Sequence, residues 1–281
     1  MSTPLAPSPQ DRHFVTALAR GLEVLSCFRS GAALLGNQEI AQRCNLPRST
    51  VSRLTGTLTR LGYLVHVEDS GKYRLGPATL SLGSAALSQH DVRQVARPLM
   101  QELADFAHAE VSLGMRARLS MVYVEHCRSA ALLPLSLDVG SRISLTRSAM
   151  GRAWLAAATE EVRAGVLAQL RARGETAWAG LQAAMEQALH EQRTLAVVSS
   201  FGDWQKGINA IARAFHPGGG LPAMAINCGG PSFNLSPDYL LQEVRPRLVD
   251  LVARIETALQ RRARAGDGAS ARTEAGTAPK G

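Results

Sequence analysis

Apolar positions in the first quarter of the chain recur at helical spacing, then alternate. Phe14, Leu18, Leu22, Leu25 and Phe28 fall on one side of an amphipathic helix that Gly31 closes. Asn37 is placed to N-cap a short helix, Gln38 to Arg43. Cys44-Asn45-Leu46-Pro47 reads as a turn. A third helix runs from Arg48 to Leu61, with Pro47 at its start, where a missing amide costs least, and Gly62 at its end. Val51, Leu54, Leu58 and Leu61 form its inward stripe. Leu64 to Val67 and Lys72 to Leu75 are two short strands around the turn Glu68-Asp69-Ser70-Gly71. The order is helix, helix-turn-helix, hairpin.

From Ala78 the pattern changes. A connecting helix is predicted to Gln89, then a helix from Val92 to His108 with Val95, Leu99, Leu103 and Phe106 on one side. Strand-like runs follow at Val111–Met115, Met121–Glu125, Leu132–Leu137 and Ile143–Thr146. Helical stretches follow at Ala149–Ala158, Glu161–Arg171 and Trp178–Arg193. Strands return at Leu195–Ser199, Gly207–Ala214 and Ala223–Cys228 before a last helix from Pro237 to Gln260. Runs of strands flanked by helices, without strict alternation, predict an α/β domain whose sheet is mostly antiparallel. The organisation expected is a disordered arm over 1–12, a winged helix-turn-helix over 13–76, a linker helix over 77–91, an α/β domain over 92–261 and a disordered tail over 262–281, which lacks large apolar side chains.

Charge sharpens this division. The net charge is +8. Arg12–Gly76 holds nine Lys or Arg against four Asp or Glu, whereas Pro77–Gln260 is nearly balanced, seventeen against sixteen. A local basic excess on a small module is the footprint of nucleic-acid binding. Hydrophobic residues make up 46% of the chain, enough for a core in each part. No apolar run reaches the roughly 18 residues of a membrane span, and Met1–Gln10 lacks the basic and apolar regions of a signal peptide, so a cytoplasmic protein with no membrane partner is expected. Cys27, Cys44, Cys127 and Cys228 form no CxxC pair; reduced, buried thiols and no metal site are expected.

The third helix carries the candidate chemistry. With Val51, Leu54 and Leu58 inward, its outer and flanking positions are Arg48, Ser49, Thr50, Ser52, Arg53, Thr55, Thr57 and Arg60. None is acidic. Arg can fork onto guanine O6 and N7, and Ser and Thr hydroxyls suit phosphate oxygens. Ordinary solvated faces mix Glu with Lys and seldom gather so many poor helix formers. Gln38 on the preceding helix, and Lys72, Tyr73 and Arg74 on the hairpin, complete a double-stranded DNA-reading set.

FVTALARGLEVLSCF, EIAQRCNLPRSTVSRLTGTLTRLGYL and KYRLG, in this order and spacing, resemble the DNA-binding domain of IclR-type transcription regulators. SLTRSAMGRAWLA, GDWQKGINAIARAF and LPAMAINCGGP extend the resemblance to about Gln260. It implies operator DNA as partner, a homodimer or homotetramer, and a C-terminal effector-binding domain similar to GAF and PAS domains that takes small metabolites, often aromatic or sugar-derived acids. Carried over by motif, Ala149, Met150, Ser200, Ala210, Asn227 and Gly229 would line the effector pocket. Two departures stand out. Thr146-Arg147 replaces the His-Ala of several relatives, and a single acid, Asp203, precedes Gly207 where relatives often carry two. On physical grounds the helix start at Ala149 is a seat for a carboxylate, and Arg147 beside it a candidate anion partner.

Other signals stay bland. HPGGGLP, residues 216–222, lacks GK[ST] and reads as a hairpin turn. The histidines lack metal spacing, and no nucleophile elbow or catalytic residue is evident, so no cofactor and no enzyme activity are expected. Two rivals remain open: a small-molecule enzyme with an appended DNA-binding head, and a winged helix that docks protein.

Overall fold

A computed structural model describes residues 13–28, 34–88, 91–130, 137–172 and 178–275. The chain falls into two compact units, one up to Gln89 and the other from His90.

The first unit holds α1 (Thr16–Ser26), α2 (Asn37–Cys44), α3 (Arg48–Arg60), the antiparallel hairpin β1 (Leu64–Val67) with β2 (Lys72–Leu75), and α4 (Pro77–Ser88). Its core is Val24, Cys27, Leu35, Ile40, Ala41, Cys44, Val51 and Leu64. Leu25, Phe28, Leu54 and Leu58 pack on that core. The predicted stripe on the first helix is only half right, because Leu18 and Leu22 face solvent and Val24 supplies the burial. Leu61 is likewise exposed, since it lies past the last turn of α3. Gly36, not Asn37, is the N-cap of α2, its amide bonded to the Glu39 carboxylate at 2.8 Å. The arm expected over 1–12 lies outside the described residues.

The second unit is built on six antiparallel strands in the order β5-β4-β3-β8-β7-β6. These are β3 (Glu110–Ala117), β4 (Ser120–Arg128), β5 (Arg142–Ser144), β6 (Val198–Phe201), β7 (Ile208–Phe215) and β8 (Met224–Pro231). Helices α5 (Asp91–Ala107), α6 (Ala149–Ala157), α7 (Glu160–Ala172) and α8 (Trp178–Thr194) surround the sheet. At the C-terminal end, α9 (Pro237–Tyr239) passes through a π-helical turn, Leu240–Val244, into α10 (Arg245–Ala275). Pro246 has no amide to give to the preceding turn, and the widened turn sits just before it. Helix α6 packs on the sheet in one core with Met121, Tyr123, Ile143, Met150, Trp154, Leu155, Ala212 and Ala225.

Several boundaries move. The strand predicted from Leu195 begins at Val198, because Ala196 turns through a left-handed conformation (φ 61°) first. The buried side of α5 is Val92, Ala96, Met100, Leu103, Ala104 and Ala107, whereas Phe106 stands outside beneath the Arg247 guanidinium, 3.6 Å from its ring centroid. Helix α10 extends as far as Ala275, past the boundary expected at 262. The strand predicted at Leu132–Leu137 falls outside the described residues except for Leu137.

Candidate DNA-reading face and effector cavity

Helix α3 reaches the surface through a tight turn. Asn45 adopts a left-handed conformation (φ 52°, ψ 46°) that ends α2 and reverses the chain into Leu46-Pro47. Arg48, Ser49, Ser52, Arg53, Thr57 and Arg60 are then exposed and Thr50 is half-buried. Gln38 and Arg48 meet, the guanidinium donating to Oε1 at 2.7 Å, so the starts of α2 and α3 present one polar patch.

Thr55 departs from this set. It is wholly buried, with its hydroxyl 3.0 Å from the Val51 carbonyl and 3.1 Å from Asn37 Oδ1. Four residues after Val51, it faces the same way as Val51, and it clamps α3 to α2 rather than facing solvent.

The hairpin is less uniform than the helix. Arg74 is exposed. Lys72 Nζ sits 3.3 Å from Glu39 Oε2, and the Gly36 amide together with that ammonium holds the Glu39 carboxyl below its ordinary value. Tyr73 is half-buried against the core, bridged through its backbone to Leu35, its ring 4.9 Å from that of His66. The hairpin tip exposes Glu68 and Asp69, two carboxylates that would repel phosphate.

In the second unit a cavity opens between the sheet and the start of α6. Ala149, Met150, Ser200, Ala210, Asn227 and Gly229 all line it. They converge because Ala210 pairs with both Ser200 and Gly229 across β6, β7 and β8, while Met150 lies against Gly114 of β3, in space that a Cβ at 114 would need. Ser148 caps α6 by accepting from the Gly151 amide at 3.1 Å.

Arg147 is not among the lining residues. Its side chain is exposed, and its Nε donates to the Asp203 carbonyl at 2.7 Å, while its own carbonyl accepts from Ser200 Oγ at 2.9 Å. Arg152, nearly buried, reaches Asp203 Oδ2 at 2.6 Å and the Thr146 carbonyl at 2.8 Å. The two arginines therefore fix the loop that carries Trp204, which does line the cavity. The helix-start arginine is a strut for that loop, because its reach is taken up by a backbone oxygen.

Sequence reasoning missed the rest of the lining: Glu110, Ser112, Tyr123, Leu137, Ile143, Ser148, Trp204, Ile208 and Gly230. The two-residue spacing of Glu110, Ser112 and Gly114 on β3 was a usable signal, since those positions share one face. Burial pushes the Tyr123 phenol up to about 12, with hydrogen bonds from Ser112 and Asn227 pulling it back. Ser112 Oγ and His126 Nδ1 lie 2.8 Å apart, and burial holds the His126 pKa below its ordinary value. Among the described residues no group of three or more His, Cys, Asp or Glu could hold a metal ion, and no helix is long and apolar enough to cross a membrane.

Residues 17–68 match the IclR helix-turn-helix domain, and residues 84–257 match the family "Bacterial transcriptional regulator IclR C-terminal". The chain belongs to the IclR family. It is 32% identical over 248 residues to the HTH-type transcriptional regulator TsaQ1/TsaQ2 of Comamonas testosteroni, covering 88% of this chain and 89% of that one. Among solved structures, an IclR family transcriptional regulator from Brucella abortus is 42% identical with a TM-score of 0.82, covering 92% of this chain and 98% of that one. An IclR homologue from Microbacterium hydrocarbonoxydans, solved with 4-hydroxybenzoate, shares the fold at 23% identity and a TM-score of 0.65, covering 87% of this chain and 99% of that one. As an IclR-family member the protein is a DNA-binding transcription regulator with a ligand-binding C-terminal domain, so its partners are DNA and a small-molecule effector.

Proposed function

We propose that this regulator reads its operator as a homodimer or homotetramer in the cytoplasm, without enzyme activity, through Arg48, Ser49, Thr50, Ser52, Arg53, Thr57 and Arg60, flanked by Gln38, Lys72 and Arg74. Tyr73 supports the hairpin from the core side, and Thr55 acts by holding α3 to α2. The observation that carries the reading is the exposed side of α3, which offers three guanidinium groups and several hydroxyls with no carboxylate among them. Residues 13–76 form the reading head, 77–91 the linker and 92–261 the sensor.

The effector in this reading is a small carboxylic acid with an aromatic or otherwise apolar body. Its carboxylate is seated at the start of α6, at Ala149 and Met150, with Ser200 beside it. Tyr123, Ile143, Trp204 and Ile208 supply the apolar middle. Arg147 does not touch the carboxylate in this reading and acts through the loop it holds. Effector binding changes operator affinity by its differential affinity for the two states, and operator DNA changes effector affinity by the same factor.

The test is to capture genomic fragments on the purified full-length protein, sequence them, and repeat the capture with 4-hydroxybenzoate and related benzoic acids present. Enrichment of one recurrent sequence, displaced or strengthened by an acid, is the expected result. Recovery of random fragments at every acid concentration overturns the reading.

A further inference from the structure

Resting on α3 as the reading helix, we propose that Gly56 is the point where the duplex comes closest to the backbone of α3, a notch for base edges on the floor of the major groove that any side chain would fill. Ser49, Arg53, Gly56 and Arg60 follow one another at helical spacings of four, three and four, and all are exposed. This row lies on the side of α3 opposite Val51 and Leu58, which belong to the core. It is therefore the row that points at the groove floor when the helix is laid in a duplex. Its third member has no side chain. Nothing in the folded protein asks for glycine there. Gly56 lies inside a 13-residue helix, has no positive φ, and an added Cβ would meet no heavy atom within 4 Å beyond its own helix backbone and chain neighbours. At Gly114, by contrast, an added Cβ would strike Met150 Sδ. A helix-interior glycine is destabilising relative to alanine, so at this position the free protein is less stable than the fold allows.

The side chains around Gly56 keep the notch open and charged at its ends. Thr57 bonds its hydroxyl back to the Arg53 carbonyl at 2.9 Å, along the helix rather than outward. Arg53 and Arg60 stand one turn to either side, and among the described residues neither pairs with a carboxylate. Two guanidiniums bracket a bare stretch of backbone. They reach past Gly56 to phosphates or guanine edges while the backbone between them settles against the bases, the close approach that glycine permits. A methyl group at this point would hold the helix off, and the contacts on both sides would lengthen together. Gly165 on α7 is the natural contrast: it too is exposed within a helix with open space about it, but it lies in the sensor.

The experiment compares full-length wild type with Gly56→Ala, Gly165→Ala and Arg53→Ala. Each is melted by circular dichroism and titrated with two duplexes: the recurrent fragment recovered by genomic capture, and a scrambled duplex of the same composition. Gly56→Ala is expected to melt about 2 °C or more above wild type. It is nevertheless expected to bind the captured duplex at least about tenfold more weakly, the size of one lost base-pair contact. The scrambled duplex, held mainly through phosphates, should be bound nearly as before. Gly165→Ala is expected to gain melting temperature with both affinities unchanged. Three results for Gly56→Ala overturn the inference: wild-type affinity for the captured duplex, an equal loss on both duplexes, or a lower melting temperature. An equal loss of captured-duplex affinity in Gly165→Ala overturns it too, because added helix stability anywhere would then explain the effect. In each of these cases a weakened Arg53→Ala leaves the reading of α3 standing without the notch. If neither Gly56→Ala nor Arg53→Ala is weakened, the reading of α3 falls and the inference with it.

Discussion

The Arg152 guanidinium and the Asp203 carboxylate, 51 residues apart in sequence, meet at 2.6 Å beside the cavity. Arg152 is almost completely buried, Asp203 about half exposed, and the guanidinium also donates to the Thr146 carbonyl. The pair ties the Trp204 loop to the start of α6. Arg152→Met leaves the Thr146 carbonyl and the carboxylate without their donor. The expected loss is about 1–3 kcal/mol, below the value for a wholly buried pair because Asp203 keeps part of its hydration. Urea unfolding measures it, and an accompanying red shift of tryptophan emission reports release of Trp204. A variant as stable as the wild type contradicts the role assigned to the strut.

Thr55 and Arg53 sit two residues apart on α3 and have opposite expectations. Thr55→Val deletes a buried hydroxyl that bonds within α3 and to Asn37. It is expected to cost about 0.5–1.5 kcal/mol of stability while leaving DNA affinity near wild type at temperatures where the variant is folded. Thermal unfolding and a gel-shift titration on the same samples separate the two effects.

The cysteines give a chemical prediction. All four are buried and none is in a disulfide. The Cys44 thiol is pushed far up, first by its hydrogen bond with Cys27, 3.0 Å away, and then by burial. Burial raises Cys127 to about 11 and Cys228 to about 12. Since the thiolate is the reactive form, native protein at pH 8 is expected to react with a disulfide reagent only as fast as it opens. All four thiols should become available in denaturant. Rapid stoichiometric labelling of the native protein would contradict this packing.

His126 supplies a pH dependence with a definite sign. Burial lowers its pKa in the folded chain, so the unfolded chain binds the proton more readily. Its contribution to stability is whole above the ordinary histidine pKa of about 6.5 and is lost as pH falls below that value toward the depressed one. Melting temperature measured at pH 7.5 and 5.5 should fall by less in His126→Asn than in wild type. An equal fall in both assigns the acid sensitivity elsewhere.

The reading face was legible because α3 is amphipathic in the plainest way, with aliphatic residues at helical spacing and hydroxyls and guanidiniums between them. Thr55 escaped because its hydroxyl makes it look like its exposed neighbours, although its position one turn from Val51 places it inside. Helix α5 misled for the opposite reason. Half of its buried side is alanine, which marks close packing but adds little to an apolar pattern, and Phe106 drew the stripe the wrong way. At the cavity, a motif could carry over Ala149 or Asn227, but no local pattern reveals that Arg147 spends its reach on the Asp203 carbonyl. Glu110 becomes a lining residue only through the pairing of β3 with β8, a contact between segments more than a hundred residues apart.

The claim at the centre of this account is that the exposed side of α3 touches duplex DNA. It is tested most directly by measuring the dissociation constant for the captured sequence, for wild type and Arg53→Ala, across a series of salt concentrations. The account predicts affinity that falls steeply and linearly on logarithmic axes as salt rises, with the variant weaker by tenfold or about 1.4 kcal/mol at each salt and unchanged in melting temperature. Equal binding by the two proteins, or affinity indifferent to salt, would contradict it.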